Sequence, residues 1–151
     1  MNIIEVLIPI LFFIVMLKQI KYIKDLIIPI KKRNIEIFVV LFSVIIFMVI
    51  TYVYAYTFMH YLTCSLGILT FVSIWIKQGI TSKGFISMYR YKEVILWNEI
   101  EKVNVTCSNN ITIKLSGNFN SQTFYFNKCD YDKIINLLKI NLSEKVKVEI
   151  I

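Results

Sequence analysis

The chain has 151 residues, of which 57% are hydrophobic and 18% charged, and its formal net charge is +7. A soluble domain has about 45–50% apolar and about 25% charged residues, so this composition argues against a soluble protein and favours a membrane protein. The cysteines, Cys64, Cys107 and Cys129, have no short pair spacing. We therefore expect them to be structural residues rather than disulfide partners or metal ligands.

The first apolar segment, Asn2–Leu17, contains one charged residue, Glu5, and one proline. As a helix it spans about 24 Å, slightly less than the hydrocarbon core of about 30 Å, and we predict a transmembrane helix over 3–19. The alternative, a cleaved signal peptide, lacks a basic n-region and a small-residue cleavage site. We expect Glu5 to lie at the outer interface, where a carboxylate reaches water. The alternative role for Glu5 is that of a proton or ion ligand.

The connection that follows, 18–34, is strongly basic. Its apolar residues fall near one face at helical spacing, which predicts an interfacial helix that Pro29 would end or kink. The basic residues indicate the cytoplasmic side and are candidate contacts for anionic lipid or a partner. They are Lys18, Lys21, Lys24, Lys31, Lys32 and Arg33.

Two further apolar runs predict transmembrane helices over 36–56 and 60–77. The turn between them, Tyr56–Tyr61, has no Lys or Arg, whereas basic residues precede the second span and follow the third. By the positive-inside rule, the sequence predicts a multi-pass plasma-membrane protein with its amino terminus outside and its carboxy-terminal domain in the cytoplasm. His60, the one histidine, lies in the outer turn. We expect it to be an interfacial residue; pH sensing is the alternative.

From Gln78 onward, short alternating segments separated by turn residues predict a small antiparallel sheet or barrel. Asp130 is predicted to cap a helix, Tyr131–Lys139, that covers one end of the sheet, and Ser143–Ile151 is predicted to add a last strand. The other predicted strands are Gly79–Thr81, Phe85–Tyr89, Val94–Trp97, Lys102–Thr106, Ile111–Leu115 and Gln122–Phe126.

Two stretches of this region are similar to a known family. They are residues 79–86, with the sequence GITSKGFI, and residues 94–103, with the sequence VILWNEIEKV. They resemble the opening strands of bacterial PH-like domains attached to membrane spans, and the chain is similar to the DUF5673 type of small Firmicutes membrane protein. The resemblance covers residues 78–140. Together with the predicted spans, it leads us to expect an α+β membrane protein: a transmembrane region, 1–77, followed by a PH-like sheet or partial barrel with a C-terminal helix, 78–151.

Several residues of this domain are candidates for particular roles. Trp97 and Ile100 point inward at the end of an apolar strand, and we expect both to be structural anchors; ligand stacking is the alternative for Trp97. Basic residues of the domain, Lys83, Arg90 and Lys92 among them, are candidate contacts for lipid phosphates, a solvated surface being the alternative. Members of the PH superfamily that bind phosphoinositides use basic residues in the first hairpin, where this chain has Lys83.

The chain has no Ser/His/Asp or Cys/His set, no phosphate loop and no metal-ligand cluster, and we expect neither an enzyme nor a bound cofactor or metal. Nucleic-acid binding is not expected either, since residues 78–151 contain ten Lys and Arg against seven Asp and Glu. Transport would need more polar residues in the spans.

Two functions remain. The first is a membrane-anchored interaction module that binds membrane lipids, or a protein partner, or itself through its transmembrane helices; bacteriocin self-immunity is one setting for it. The alternative is a ligand-gated effector that permeabilises the membrane. A pocket in the β domain with converging Arg, Lys or aromatic side chains would favour the effector, and a filled core the interaction module.

Overall fold

The computed structural model describes residues 3–88, 93–143 and 146–150. The chain forms two compact units, which we call the helical unit (residues 1–25 and 32–77) and the β unit (residues 26–31 and 78–151). The predicted turn Arg90–Lys92, the end of the predicted strand Phe85–Tyr89 and part of the predicted strand Ser143–Ile151 lie outside the described residues.

The helical unit contains three helices, α1 (Ile3–Lys24), α2 (Asn34–Tyr54) and α3 (Phe58–Ile76). Each is long and apolar enough to cross a membrane, which supports membrane association. The three predicted helices are present with shifted ends. The largest shift is in α1, which continues through Lys24 because the Lys, Gln and Ile residues after Leu17 are compatible with a helix.

The helices of this unit contact each other through small and aromatic residues. A Cβ added to Gly67 of α3 would lie 3.9 Å from the ring of Phe12 on α1, so this ring packs against α3 at Gly67. Between α2 and α3, the ring centroids of Phe47 and Phe71 are 6.1 Å apart. Most other apolar side chains of the unit face outward, as expected where lipid is the solvent.

The predicted interfacial helix over 18–34 is wrong in its second half. Leu26–Pro29 forms a strand, β1, which pairs antiparallel with β2 (Gly79–Thr81) and places Ile28 opposite Ile80. Both isoleucines are fully buried, and this burial stabilises the strand. Pro29 is tolerated because β1 is the edge strand of its sheet, where a missing N–H costs no ladder bond.

The β unit contains two four-stranded sheets with the orders β1-β2-β3-β4 and β7-β6-β5-β8. All neighbours are antiparallel except β8, which is parallel to β5. Each of the six strands predicted between Gly79 and Phe126 corresponds to an observed strand, β8 lies within the predicted last strand Ser143–Ile151, and β1 is additional. The remaining strands are β3 (Gly84–Ile86), β4 (Val94–Leu96), β5 (Ile100–Cys107), β6 (Ile111–Gly117), β7 (Phe119–Phe126) and β8 (Lys147–Ile150).

A helix, α4 (Tyr131–Asn141), completes this α+β unit, and its Ile134 and Leu138 join the core formed by both sheets. Asp130 occupies the N-cap position, but its side chain makes no cap hydrogen bond because a 3₁₀ turn, Lys128–Asp130, leads into the helix. One backbone bond, from Lys31 N to Tyr125 O at 2.7 Å, links the segment after β1 to β7. The described strands do not form a closed barrel.

Candidate functional site

Six basic residues gather at one end of the helical unit, where α1 ends, α2 begins and α3 ends. We call them the basic collar: Lys18, Lys21, Lys24, Lys32, Arg33 and Lys77. Asp25 and Glu36 are the acidic residues of the same sequence segments. The collar therefore carries a marked excess of positive charge.

Lys32 joins the start of α2 to the end of α3. Its Nζ lies 4.8 Å from the centroid of the Trp75 ring and donates a hydrogen bond to the Trp75 carbonyl oxygen. Burial lowers the pKa of Lys32 from its ordinary value of 10.5 to about 8, while the nearby Glu36 carboxylate acts in the opposite direction. Lys32 therefore gives up its proton more easily than an exposed lysine does.

Tyr22 of α1 contacts two lysines of the collar. The Nζ atoms of Lys77 and Lys18 lie 5.4 Å and 5.8 Å from the centroid of its ring, and Lys77 is buried. The Lys77 contact joins the end of α3 to α1, and the Lys18 contact lies within α1. Tyr22 and Trp75, whose rings these collar lysines contact, are also of the residue types that favour the membrane interface.

The rest of the collar is open to solvent. Lys21 and Lys24 are exposed in the last turn of α1, where cations interact favourably with the helix dipole. Arg33 is exposed at the N-cap of α2, and its side chain makes no cap bond. These three side chains are available to anionic groups in the surroundings.

The structure thus brings together five of the nine basic residues that the sequence marked as contacts, and adds Lys77, whose position directly after the third span was the available signal. Lys31 and Lys83 belong to the β unit. Lys31 Nζ donates to Asn110 Oδ1 at 2.6 Å, and Lys83 is exposed in the turn between β2 and β3. Arg90 and Lys92 lie outside the described residues.

The two predicted anchors lie where the sheets meet. Trp97 packs edge-on against Phe85, with ring centroids 5.3 Å apart and planes at 70°, and its Nε1 donates to Ser82 O at 2.9 Å. Ile100, at the start of β5, is buried in the core. The partly buried Trp97 ring is thus held by a core aromatic residue and by the β2–β3 turn.

A cavity of about 310 Å³ lies at the opposite end of the helical unit from the collar. His60, predicted to lie in a turn, is on the first turn of α3, which begins at Phe58; the N-cap Thr57 hydroxyl accepts a hydrogen bond from His60 N at 3.3 Å. The position of His60 in the same cavity as Glu5 was not predicted, because the two residues are distant in the chain. The cavity is lined by Ile4, Glu5, Ile8, Ile50, Thr51, Tyr54, Ala55, His60, Thr63 and Cys64.

The β unit has its own cavity, of about 370 Å³, beside α4 and β8. Among its described lining residues there is one basic side chain, Lys139, and neither an Arg nor an aromatic residue. The lining residues are Ile135, Leu138, Lys139, Leu142, Ser143, Val146 and Val148. Within the described parts of the chain, no group of three or more His, Cys, Asp or Glu side chains is arranged to hold a metal ion.

Comparisons with known proteins identify a family for the chain. Neither the curated proteins nor the solved structures give a match. The family described as "Bacterial PH domain" matches residues 10–151, which include most of the helical unit as well as the β unit. The PH-like part of the resemblance seen in residues 79–103 is therefore confirmed. The chain belongs to the bacterial PH domain family.

Proposed function

We propose that this protein is a membrane-anchored interaction module whose basic collar binds the headgroups of anionic phospholipids, and that it is not an enzyme. Membership of a bacterial PH domain family suggests a lipid- or protein-interaction module. We choose anionic lipid as the ligand because three helix ends converge at one end of the apolar helices, together with their cations and two interfacial rings. Basic residues near an anionic membrane surface contribute about 1 kcal/mol each.

Chain connectivity supports the same proposal. The chain passes from the helical unit to the β unit after Asp25, returns after Lys31 and leaves again after Lys77. All three passages occur at helix ends that carry the collar. By the positive-inside rule this end faces the cytoplasm, so we propose a cytoplasmic β unit available to a protein partner and an outer amino terminus.

The test is the effect of lipid on the unfolding temperature of the purified full chain. Phosphatidylglycerol is expected to raise the unfolding midpoint more than phosphatidylcholine, and about 0.5 M salt is expected to reduce that difference because ions screen exposed charges. The double variant Lys21→Gln, Lys24→Gln removes two exposed cations of the collar and is expected to reduce the preference for phosphatidylglycerol.

The matched control is Lys128→Gln, Lys133→Gln, which removes two exposed lysines of the β unit and is expected to keep the lipid preference of the wild type. Equal stabilisation by the two lipids, or the same loss in both double variants, would contradict collar binding.

The alternative, a ligand-gated effector that permeabilises membranes, receives less support. A site for an anionic signal needs converging cations or rings, and the described lining of the cavity beside α4 offers one lysine. We therefore expect bacteria that express the full chain to keep their membrane potential. Depolarisation on expression would favour the effector.

Two finer hypotheses accompany this proposal. One is that the chain is of the DUF5673 type from Firmicutes, and the other is that it confers self-immunity to a bacteriocin. Immunity predicts that a sensitive strain survives exposure to the bacteriocin when it expresses the full chain and dies without it. Self-association through the helices is a further mode of partner binding, and cross-linking in native membranes would detect it.

A further inference from the structure

We propose that the cavity between the three helices, at the end opposite the basic collar, binds a small molecule that carries a primary ammonium group on a short apolar chain. We call this cavity the ammonium site. Its lining residues come from α1, α2 and α3, so the site exists only when the three helices are packed together. The ammonium site lies at a different end of the helical unit from the collar and does not depend on lipid binding there.

The two threonine hydroxyl groups of the ammonium site offer acceptors rather than donors. Thr51 Oγ1 donates to Phe47 O at 2.7 Å, and Thr63 Oγ1 donates to Met59 O at 2.8 Å. A hydroxyl has a single proton, and both protons are committed to carbonyl groups of their own helices. The remaining capacity of both oxygens is to accept, which selects a ligand that donates.

Glu5 adds a third acceptor and the charge. Its side chain is half-buried, and no Lys or Arg is among the described residues that line the cavity. The Lys and Arg residues of the helical unit lie in the segment 18–33 and at Lys77. A carboxylate in a largely apolar cavity whose described lining holds no Lys or Arg attracts a cation.

An ammonium group matches this set of acceptors. It has three donors, and Glu5, Thr51 and Thr63 provide three groups that accept. His60 does not add a fourth, because its Nδ1 accepts a hydrogen bond from Tyr56 N at 3.4 Å. A neutral alcohol of the same length has one donor and no charge, and would leave most of the acceptors unpaired.

The rest of the lining sets the apolar part and the size of the ligand. Ile4, Ile8 and Ile50 contribute aliphatic surface, and a cavity of about 310 Å³ is at the small end of ligand pockets. The ammonium group has two sources, a free alkylamine or the headgroup of a phospholipid in the outer leaflet. The chemistry is shared, and the experiment distinguishes the two sources.

The experiment is calorimetric titration of the full chain, in nanodiscs of phosphatidylcholine, with n-butylammonium and with 1-butanol. We expect saturable binding of butylammonium and binding of butanol that is weaker by about tenfold or more, since hydrogen bonds to charged groups contribute about 1.5–3 kcal/mol. Equal binding of the two probes, or no saturable binding of butylammonium, would overturn the proposal.

Two pairs of variants test the residues. Glu5→Gln is expected to weaken butylammonium binding by about tenfold or more, whereas Glu36→Gln, a carboxylate on the first turn of α2 outside the lining, is expected to leave it unchanged. Thr51→Val is expected to weaken binding by a smaller factor. Its control is Ser43→Ala, because Ser43 Oγ makes the same bond to Val39 O, at 2.8 Å, outside the lining. Wild-type affinity in Glu5→Gln would refute the assignment.

The source of the ammonium group is tested by the lipid. In nanodiscs of phosphatidylethanolamine, whose headgroup is a primary ammonium, a lipid ligand would compete and lower the apparent affinity for butylammonium. An unchanged affinity would assign the site to a free amine. The competition is expected to disappear in Glu5→Gln, which separates it from a general effect of the lipid on the protein.

Discussion

Lys32 carries a positive charge that its partly buried surroundings disfavour. Burial lowers its pKa to about 8, and the contacts that hold it are the Trp75 ring and carbonyl group. Between pH 8 and 10.5 an unfolded chain keeps the Lys32 proton while the folded chain has lost it. Since the unfolded state then binds more protons, Lys32 makes stability rise with pH across this window.

The variant Lys32→Met tests this linkage. We expect the difference in unfolding temperature between wild type and Lys32→Met to move in favour of the wild type as pH rises from 8 to 10.5, and to stay constant below pH 8. Thermal unfolding of the full chain at a series of pH values measures it. The matched control is Lys21→Met, which removes a lysine that is exposed to solvent. Parallel curves for Lys32→Met and wild type would contradict the lowered pKa.

The backbone conformation at position 84 requires a glycine. Its φ of +146° is one that side chains rarely adopt, and a Cβ there would lie 1.9 Å from Ile95 O of the neighbouring strand. We expect Gly84→Ala to lower the free energy of unfolding of the β unit by at least about 2 kcal/mol, from strain and strand separation together. Unfolding of the β unit is followed by the fluorescence of Trp97, measured in a Trp75→Phe background.

The control for Gly84 is another glycine. At Gly67 an added Cβ meets Phe12 at 3.9 Å, an ordinary contact, so Gly67→Ala is expected to change stability little or to increase it slightly. A Gly84→Ala protein as stable as Gly67→Ala would show that the β2–β3–β4 sheet is less tightly constrained than the geometry indicates.

At the scale of elements, the strand β1 is the feature that sequence analysis missed. Residues 26–30 form an apolar run, and such a run is compatible with a helix or with a buried strand. The lysines before it favoured a helical interpretation. The pairing of Ile28 with Ile80 makes this run a strand rather than a helix. Its partner strand, β2, is separated from it in the sequence by α2 and α3.

The prediction at this scale concerns a truncated β unit. The chain Gln78–Ile151 lacks β1 and exposes the edge of β2, so we expect it to aggregate or remain unfolded. A chain in which Leu26–Lys31 is joined to Gln78 by a short Gly-Ser turn is expected to fold, because Ile30 N already bonds Gln78 O at 3.1 Å. Circular dichroism and size-exclusion chromatography compare the two.

The matched control for that comparison replaces Ile28 by Asp in the joined chain. The side chain of Ile28 is buried, so an unpaired carboxylate there is expected to prevent the joined chain from folding better than Gln78–Ile151. If Gln78–Ile151 folds as well as the joined chain, β1 is a dispensable strand.

Other elements were predictable because their pattern is local. Val103 and Val105 alternate with more exposed neighbours in β5, and Ile134 and Leu138 are one helical turn apart in α4; both pairs are buried as their periodicity indicates. The basic residues of the collar were visible as a cluster in the sequence. The meeting of Glu5 and His60 in one cavity was not, since it depends on how three helices pack.

At the scale of the whole molecule, charge asymmetry determines the proposed orientation. The collar end of the helical unit is rich in Lys and Arg, and the turn at the other end has none. Cys107 and Cys129 are exposed in the β unit and serve as natural reporters. In a Cys64→Ser background, we expect a membrane-impermeant maleimide to leave intact cells unlabelled and to label both cysteines after lysis. Labelling of intact cells would reverse the orientation.

The order of the strands also has a consequence for biosynthesis. The ribosome completes β1 before α2 and α3, but Leu26–Pro29 pairs with Gly79–Thr81, which is translated after both helices. The first sheet therefore cannot be assembled until the helical hairpin has left the ribosome. Both helices are thus translated before the β unit can complete its first sheet, and a nascent chain that stalls before Gly79 holds β1 without its partner strand.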